Sequence, residues 1–239
     1  MTKVTPYNSK EGKKKQVTKM FDNIAGSYDF LNHTLSLGMD NIWRKIAIEK
    51  LDNRPATILD IATGTGDFAI SAAKYTNANI TGIDISQGML DIGVEKITKK
   101  GLTDRIQLQL ADSENLPFKD NKYDAITAGF GVRNFEDLNK GLSEIYRTLR
   151  SGGIVAILEP SEPTYFPLKQ FYKLYFHHIL PFLGGIISKD KKAYTYLPES
   201  VSAFPSGNNF LSELVKAGFK DPKYIPLTFG IVSLYIAIK

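Results

Sequence analysis

The chain has 239 residues with 43% hydrophobic and 23% charged side chains, values of an ordinary globular protein long enough to bury a large core in one α/β domain. It has no cysteine, which excludes disulfides, thiolate metal sites and cysteine nucleophiles. The formal charge is +5, and part of the excess sits at the front, where Lys3, Lys10, Lys13, Lys14, Lys15 and Lys19 face Glu11 alone.

That basic arm has two readings, a solvated terminus or a patch for an anionic surface. The opening Met1-Thr2-Lys3-Val4-Thr5-Pro6 lacks the apolar core of a secretion signal, and no run approaches the ~20 apolar residues of a spanning helix. The expectation is therefore a cytoplasmic protein, peripheral at most to the inner face of the membrane. His33, His177 and His178 lack a zinc-binding spacing, so no metal is expected.

In chain order, Lys13 to Lys19 lead into a helical stretch through Phe21, Ile24, Tyr28 and Leu31, and Trp43, Ile46, Ala47 and Leu51 continue at helical spacing. Asn53-Arg54-Pro55 closes this preface. Strands at 57–62, 79–84, 106–111, 123–129 and 153–159 then exchange with helices at 67–75, 87–100 and 136–150, the pattern of a doubly wound parallel sheet with right-handed crossovers. Pro160, Pro163 and Pro167 open a segment dense in aromatics (Tyr165, Phe166, Phe171, Tyr172, Tyr175, Phe176, Phe182), which reads as an inserted lid. A helix from Asn208 to Ala217 follows, stopped by Gly218. Two strand-like runs, Tyr224 to Phe229 and Val232 to Ile238, have no room for a crossover and must pair antiparallel.

The expected architecture is thus one α/β domain over 1–239 with a mostly parallel seven-stranded sheet ending in an antiparallel hairpin. Within it, 1–52 form a helical cap, 53–160 a nucleoside-binding core, 161–207 a helical lid inserted after the fifth strand, and 208–239 the last helix and hairpin.

Chemistry concentrates where strands end. Ile58-Leu59-Asp60-Ile61-Ala62-Thr63-Gly64-Thr65-Gly66-Asp67 runs an apolar strand into a Gly-x-Gly turn, and Ile80-Thr81-Gly82-Ile83-Asp84-Ile85-Ser86 ends the next strand in an acid. A dinucleotide site wants a third glycine, here Ala69, and a helix start free to face a diphosphate, here blocked by Asp67. An acid in that first turn suits the ammonium of a sulfonium nucleoside with an amino-acid tail. Asp60 adds a second acid near the turn, Asp84 is placed to accept from both ribose hydroxyls, and Asp112 ends the third strand within Leu110-Ala111-Asp112-Ser113-Glu114. Alone, each piece has a plain alternative, a tight turn or a helix cap. In register, Asp-x-x-x-Gly-x-Gly and the later acids resemble the class I methyltransferases that use S-adenosylmethionine.

Further segments are similar to the quinone-biosynthesis C-methyltransferases of the demethylmenaquinone and ubiquinone type. They are Met20-Phe21-Asp22-Asn23-Ile24-Ala25-Gly26-Ser27-Tyr28-Asp29-Phe30-Leu31-Asn32, Phe130-Gly131-Val132-Arg133-Asn134, Leu158-Glu159-Pro160-Ser161 and Tyr194-Thr195-Tyr196-Leu197-Pro198-Glu199-Ser200. The chain departs from that family at Pro160, usually Phe, and at Gly129, often Ser.

The resemblance implies an S-adenosylmethionine site of Asp60, Gly64, Thr65, Gly66, Asp67, Asp84, Ile85, Asp112, Ser113 and Gly129. It implies catalytic roles for Arg133, Asn134 and Tyr28, with Asn32, Asp190, Tyr194 and Tyr196 toward the substrate. The implied acceptor is a prenylated demethylmenaquinol methylated at a ring carbon, with a benzoquinol or another lipid or phenolic acceptor as alternatives. Transient membrane contact and a homodimer are allowed, and no nucleic acid is expected. Plain readings stand beside these: Arg133 as partner of a sheet acid, Tyr28 within a packing stripe, and the lid as a cap that completes the core.

Overall fold

The computed structural model describes residues 4–7, 9–174 and 191–239. The lid residues Tyr175, Phe176, His177, His178 and Phe182, and Asp190, lie outside the described residues, as does the side chain of Tyr194.

Two helices, α1 (Lys13–Leu35) and α2 (Met39–Glu49), precede β1 (Thr57–Ile61), α3 (Asp67–Tyr75), β2 (Asn79–Asp84), α4 (Gln87–Lys99), β3 (Ile106–Leu110) and β4 (Tyr123–Gly129). Then come α5 (Leu138–Thr148), β5 (Leu149–Pro160), α6 (Leu168–Leu174), α7 (Lys191–Ala203), α8 (Asn208–Lys216), β6 (Lys220–Leu227) and β7 (Val232–Ile238). The seven strands form one sheet in the order β3-β2-β1-β4-β5-β7-β6. The first five are parallel, while β7 runs antiparallel between β5 and β6. The expected mixed sheet with its terminal hairpin is what the chain builds.

Alternation along the strands assigns the two faces. Ile58, Ile154, Ala156 and Leu158 point into one core with α2, α3 and α4, whereas Leu59, Ile61, Val155 and Ile157 point into the other with α5 and α8. A period of two does this without further instruction. The third cluster lies over the strand ends, where Val17, Met20, Ile24 and Leu31 of α1 meet Met89 of α4 and Ala193 and Tyr196 of α7. The chain order reverses between β1 and β4, so the crevice at their carboxyl ends is where such a sheet takes a ligand, and α1 crosses it.

Two strand boundaries differ from the sequence reading, and the described part of the lid carries helices α6 and α7, as expected. β5 starts at Leu149, directly after α5, because Leu149 pairs with Tyr123 before a bulge shifts the register to Ile154 opposite Ala125. Gly152, at φ 74°, makes that bulge possible. β6 begins at Lys220 and ends at Leu227; as an edge strand it tolerates Pro222 and charged residues. The Tyr194–Ser200 segment lies within a helix, α7, with Pro198 inside it.

Candidate active site

The turn after β1 is held by its neighbours. Gly64 adopts φ 56° and Gly66 φ 81°, conformations that glycine reaches without steric cost, so the backbone folds back from the strand end before α3 begins. Asp84, at the end of β2, accepts from the Gly64 amide at 2.8 Å and the Ser86 amide at 2.9 Å, which ties the two loops together. Burial raises its pKa, offset in part by those amides. The side chain lines a cavity with Gly64, Ile85, Met89, Asp112, Ser113 and Gly129. On the far side, the loop after β4 comes so close that a Cβ on Gly131 would overlap Ala62.

Four residues expected at the nucleoside do not line this cavity. Asp60 is wholly buried beneath the turn and accepts from the Thr63 hydroxyl at 2.5 Å and the Thr127 hydroxyl at 2.7 Å; burial pushes its pKa up to about 6. It braces the loop from below. Thr65 donates to Asp29 of α1 at 2.5 Å, and Gly66 packs toward Ile97 and Gly93 of α4. Asp67 is taken by Lys96 at 2.5 Å, with His33 at 3.5 Å and Arg44 at 3.6 Å. An ammonium does meet Asp67, but it belongs to Lys96, which also bonds Asp29 at 2.6 Å.

This network continues into α2. Asp40 is buried and receives Arg44 at 2.5 Å and the Ser36 hydroxyl at 2.8 Å, with His33 Nδ1 2.7 Å away. Burial works to raise its pKa, yet Arg44, Ser36 and His33 outweigh that and leave its carboxyl below the usual range. Although His33, Asp40 and Asp67 bring metal-ligand atoms within 4.8 Å of one another, Arg44 already supplies a cation there.

Polar contacts also fasten α1 over the cavity. Lys14 meets Asp112 at 2.7 Å and Glu114 at 3.1 Å, and Asp22 accepts from the Ser86 hydroxyl at 2.6 Å and the Gly88 amide at 3.1 Å. Lys13 donates to the carbonyls of Arg133 and Phe135 at 2.9 Å each.

A second, larger cavity of about 420 Å³ opens between α1, α2, α6 and α7. Its walls are mainly apolar, with Leu35, Met39, Trp43, Pro160, Tyr172 and Ile231 among them. Phe21, Tyr28 and Phe130 border both cavities, so a group passing from one to the other crosses between these three rings. Tyr28 hydrogen-bonds Asn32, and burial raises its hydroxyl pKa against the opposing pull of Asn32, Arg133 and Arg44. Asn32 and Tyr196 line the larger cavity, and Asn134 the smaller. The Tyr196 hydroxyl, pushed up to about 12 by burial, donates to Asn134 Oδ1 at 3.0 Å, while Asn134 Nδ2 has no partner among the described residues.

Arg133 is a salt-bridge partner of a sheet acid, Glu159 at 3.0 Å, and it lines the larger cavity.

Comparison with known proteins now decides the family. The model of the ubiE/COQ5 methyltransferase family matches residues 8–239. The chain belongs to the ubiE/COQ5 methyltransferase family.

It is similar to the demethylmenaquinone methyltransferase of Bacteroides fragilis, with 49% identity over 99% of this chain and 98% of that one. The ubiquinone/menaquinone biosynthesis C-methyltransferase UbiE of Geotalea daltonii is 44% identical over 95% of this chain and 97% of that one. Among solved structures, an S-adenosylmethionine-dependent methyltransferase of Thermotoga maritima superposes with a TM-score of 0.65, covering 92% of this chain and 99% of that one. At 17% identity that likeness speaks for the fold.

Several residues of this arrangement have no site role in the sequence reading, although some stand in the segments it quotes: Lys14, Asp22, Asp29, Trp43, Arg44, Lys96 and Glu159. Asp22 and Asp29 stand inside the Met20–Asn32 segment that was singled out, so their signal was present but not assigned to a partner. Lys96 looks like any exposed helix lysine, and only the fold brings it to Asp67.

Proposed function

We propose that this protein is an S-adenosylmethionine-dependent C-methyltransferase that converts a prenylated demethylmenaquinol to menaquinol. The observation that carries this is the junction itself: a nucleoside-type cavity at the strand ends shares Phe21, Tyr28 and Phe130 with a large apolar cavity whose wall includes Arg133.

The donor cavity fits S-adenosylmethionine. Gly64 presents bare backbone, Asp84 has acceptor capacity for two ribose hydroxyls, Ile85 and Met89 offer apolar cover for a base, and Asp112 and Ser113 offer polar atoms at its edge. Asp60 places a second acid below the turn. Bound there, S-adenosylmethionine supplies an electrophilic methyl group.

The rest falls to the chain's own residues. A quinol ring carbon becomes nucleophilic as the neighbouring hydroxyl loses or shares its proton, so the enzyme must hold the ring and stabilise the oxygen's negative charge. Arg133 stays protonated and suits that oxygen. Asn134, with its free Nδ2, and Tyr28, bordering both cavities, flank the same junction. The apolar wall excludes water and takes the beginning of the prenyl tail, worth about 0.8 kcal/mol per buried methylene.

No helix among the described residues is long and apolar enough to cross a membrane. The acceptor's tail nevertheless belongs to a bilayer, and the proposal includes transient contact with the membrane surface by a cytoplasmic enzyme. Leu37 and Phe171 support it, since both line the larger cavity while remaining 88% and 64% exposed.

The test is turnover of labelled donor with demethylmenaquinol in detergent, beside its benzoquinol counterpart. Methylation of the naphthoquinol is expected. Labelling of the benzoquinol alone would move the assignment to the ubiquinone branch, and no turnover with either would overturn it.

A further inference from the structure

Arg133 is a fork of five N–H donors, and the fold uses three of them. Its Nη1 group donates to the Phe130 carbonyl and to Glu159 Oε2, the latter at 3.0 Å, and its Nε donates to the Ser200 hydroxyl at 3.4 Å. Among the described residues no group takes a hydrogen bond from Nη2, and Arg133 lines the larger cavity. The planar guanidinium cannot turn Nη2 away while Nε and Nη1 are held.

Glu159 does more than neutralise. Its carboxylate is 0% exposed, and it accepts from the Arg133 amide at 3.2 Å as well as from the guanidinium. One acid thus grips the backbone turn at Val132–Asn134 and the side chain that leaves it. It stands on β5, an interior strand of the sheet, paired with Ser233 of β7 on one side. Ser200 reaches the same guanidinium from α7 and anchors itself on the Leu197 carbonyl at 2.8 Å. Four residues before it, Tyr196 holds Asn134, so one face of α7 serves both neighbours. Because Glu159 balances Arg133, an uncharged apolar quinol enters a cavity with no net charge at this point. The guanidinium is still oriented to meet negative charge when it develops on the oxygen.

We propose that Glu159 and Ser200 are positioning residues that fix the Arg133 guanidinium so that its Nη2 edge is the one presented to the acceptor oxygen. This rests on the reading of Arg133 as the residue facing that oxygen.

The experiment is a double-mutant cycle on kcat, with KM for donor and acceptor and a far-UV spectrum for every variant. Arg133→Met is expected to lower kcat about 100-fold, as loss of one charge-stabilising donor does. Glu159→Gln is expected to lower it about tenfold, with the donor KM unchanged. Residues acting as a unit are not additive, so Glu159→Gln in the Arg133→Met background is expected to cost nothing further.

Multiplied losses in the double variant, or wild-type kcat for Glu159→Gln, would overturn the positioning role. Wild-type kcat for Arg133→Met would instead remove Arg133 from the acceptor oxygen, a separate failure. Should Glu159→Gln not fold, Ser200→Ala completes the same cycle, since it removes only the Nε acceptor and leaves the buried ion pair intact. Its expected loss of a few fold must likewise vanish in the Arg133→Met background, and persistence there overturns the proposal.

Discussion

Replacing Asp84 by Asn isolates the charge that the donor site is built around. The carboxylate holds the Gly64 and Ser86 amides at 2.8 and 2.9 Å, and in the proposed function it is the charged acceptor for the two ribose hydroxyls. A hydrogen bond to a charged acceptor contributes about 1 kcal/mol more than one to a neutral acceptor. Two such bonds come to about 2 kcal/mol, or roughly 30-fold in Kd. The Asn variant also sets an amide NH₂ against one of the two backbone N–H groups, and an unsatisfied buried donor costs about 1–3 kcal/mol, a fall in Tm of roughly 2–4 °C per kcal/mol at this size. Calorimetry with adenosylhomocysteine and a thermal melt read both effects. Burial raises the pKa of Asp84, so wild-type affinity should weaken as pH falls through that raised value, and the Asn variant should lose this dependence. An Asn variant that binds within about threefold of wild type and keeps the pH dependence would refute the ribose role.

Three further outcomes follow from the same geometry. Asp60, pushed up to about 6 by burial, holds its proton more tightly folded than unfolded. Its contribution to stability is full below the unfolded value near 3.9 and is lost as pH rises through about 6, a swing of roughly 3 kcal/mol. Urea unfolding should therefore show Asp60→Asn gaining on wild type between pH 4.5 and 7.5, and a gap that stays constant would refute it. Trp43 is the single tryptophan of the chain; it lines the acceptor cavity, donates to Thr228 at 2.8 Å and meets the Phe130 ring edge at 6.1 Å. Its emission should be quenched by a naphthoquinone analogue, and unchanged emission at saturating ligand would take the acceptor out of that cavity. Gly131→Ala forces a methyl into Ala62, an overpacking cost of about 1–3 kcal/mol that displaces the loop carrying Arg133 and Asn134. Turnover should drop at least about tenfold with the far-UV spectrum intact, and unchanged kcat and Tm would show that the loop yields freely.

The sheet was legible because its signals are local. Ile58, Leu59 and Ile61 make a short apolar run, the mark of a parallel strand buried on both faces, and glycines at positive φ mark the turn that follows. The final hairpin was legible for a topological reason, since Thr228–Gly230 leaves no length for a crossover. Even the bulge at Gly152 has a local cause, though its register does not, because Leu149 and Ile154 find their partners only across the sheet.

The acids divide along the same line. Asp84 lines the cavity, and its position at a strand end and its nearness to a glycine turn are both written in the chain. Asp60 and Asp67 carry the same local signature and still turn away from the cavity, and what separates them from Asp84 is which partner reaches them. Thr127 comes to Asp60 from a strand 67 residues on, and Lys96 comes to Asp67 from 29 residues on. A buried carboxylate takes whatever donor or cation the packing supplies, because leaving it unpaired costs several kcal/mol. Its role is therefore set by a pairing of two distant residue types, neither of which is unusual where it stands. The same physics joins Arg133 to Glu159 and makes the two readings of Arg133 one: the bond that satisfies the sheet acid is also what aims the guanidinium.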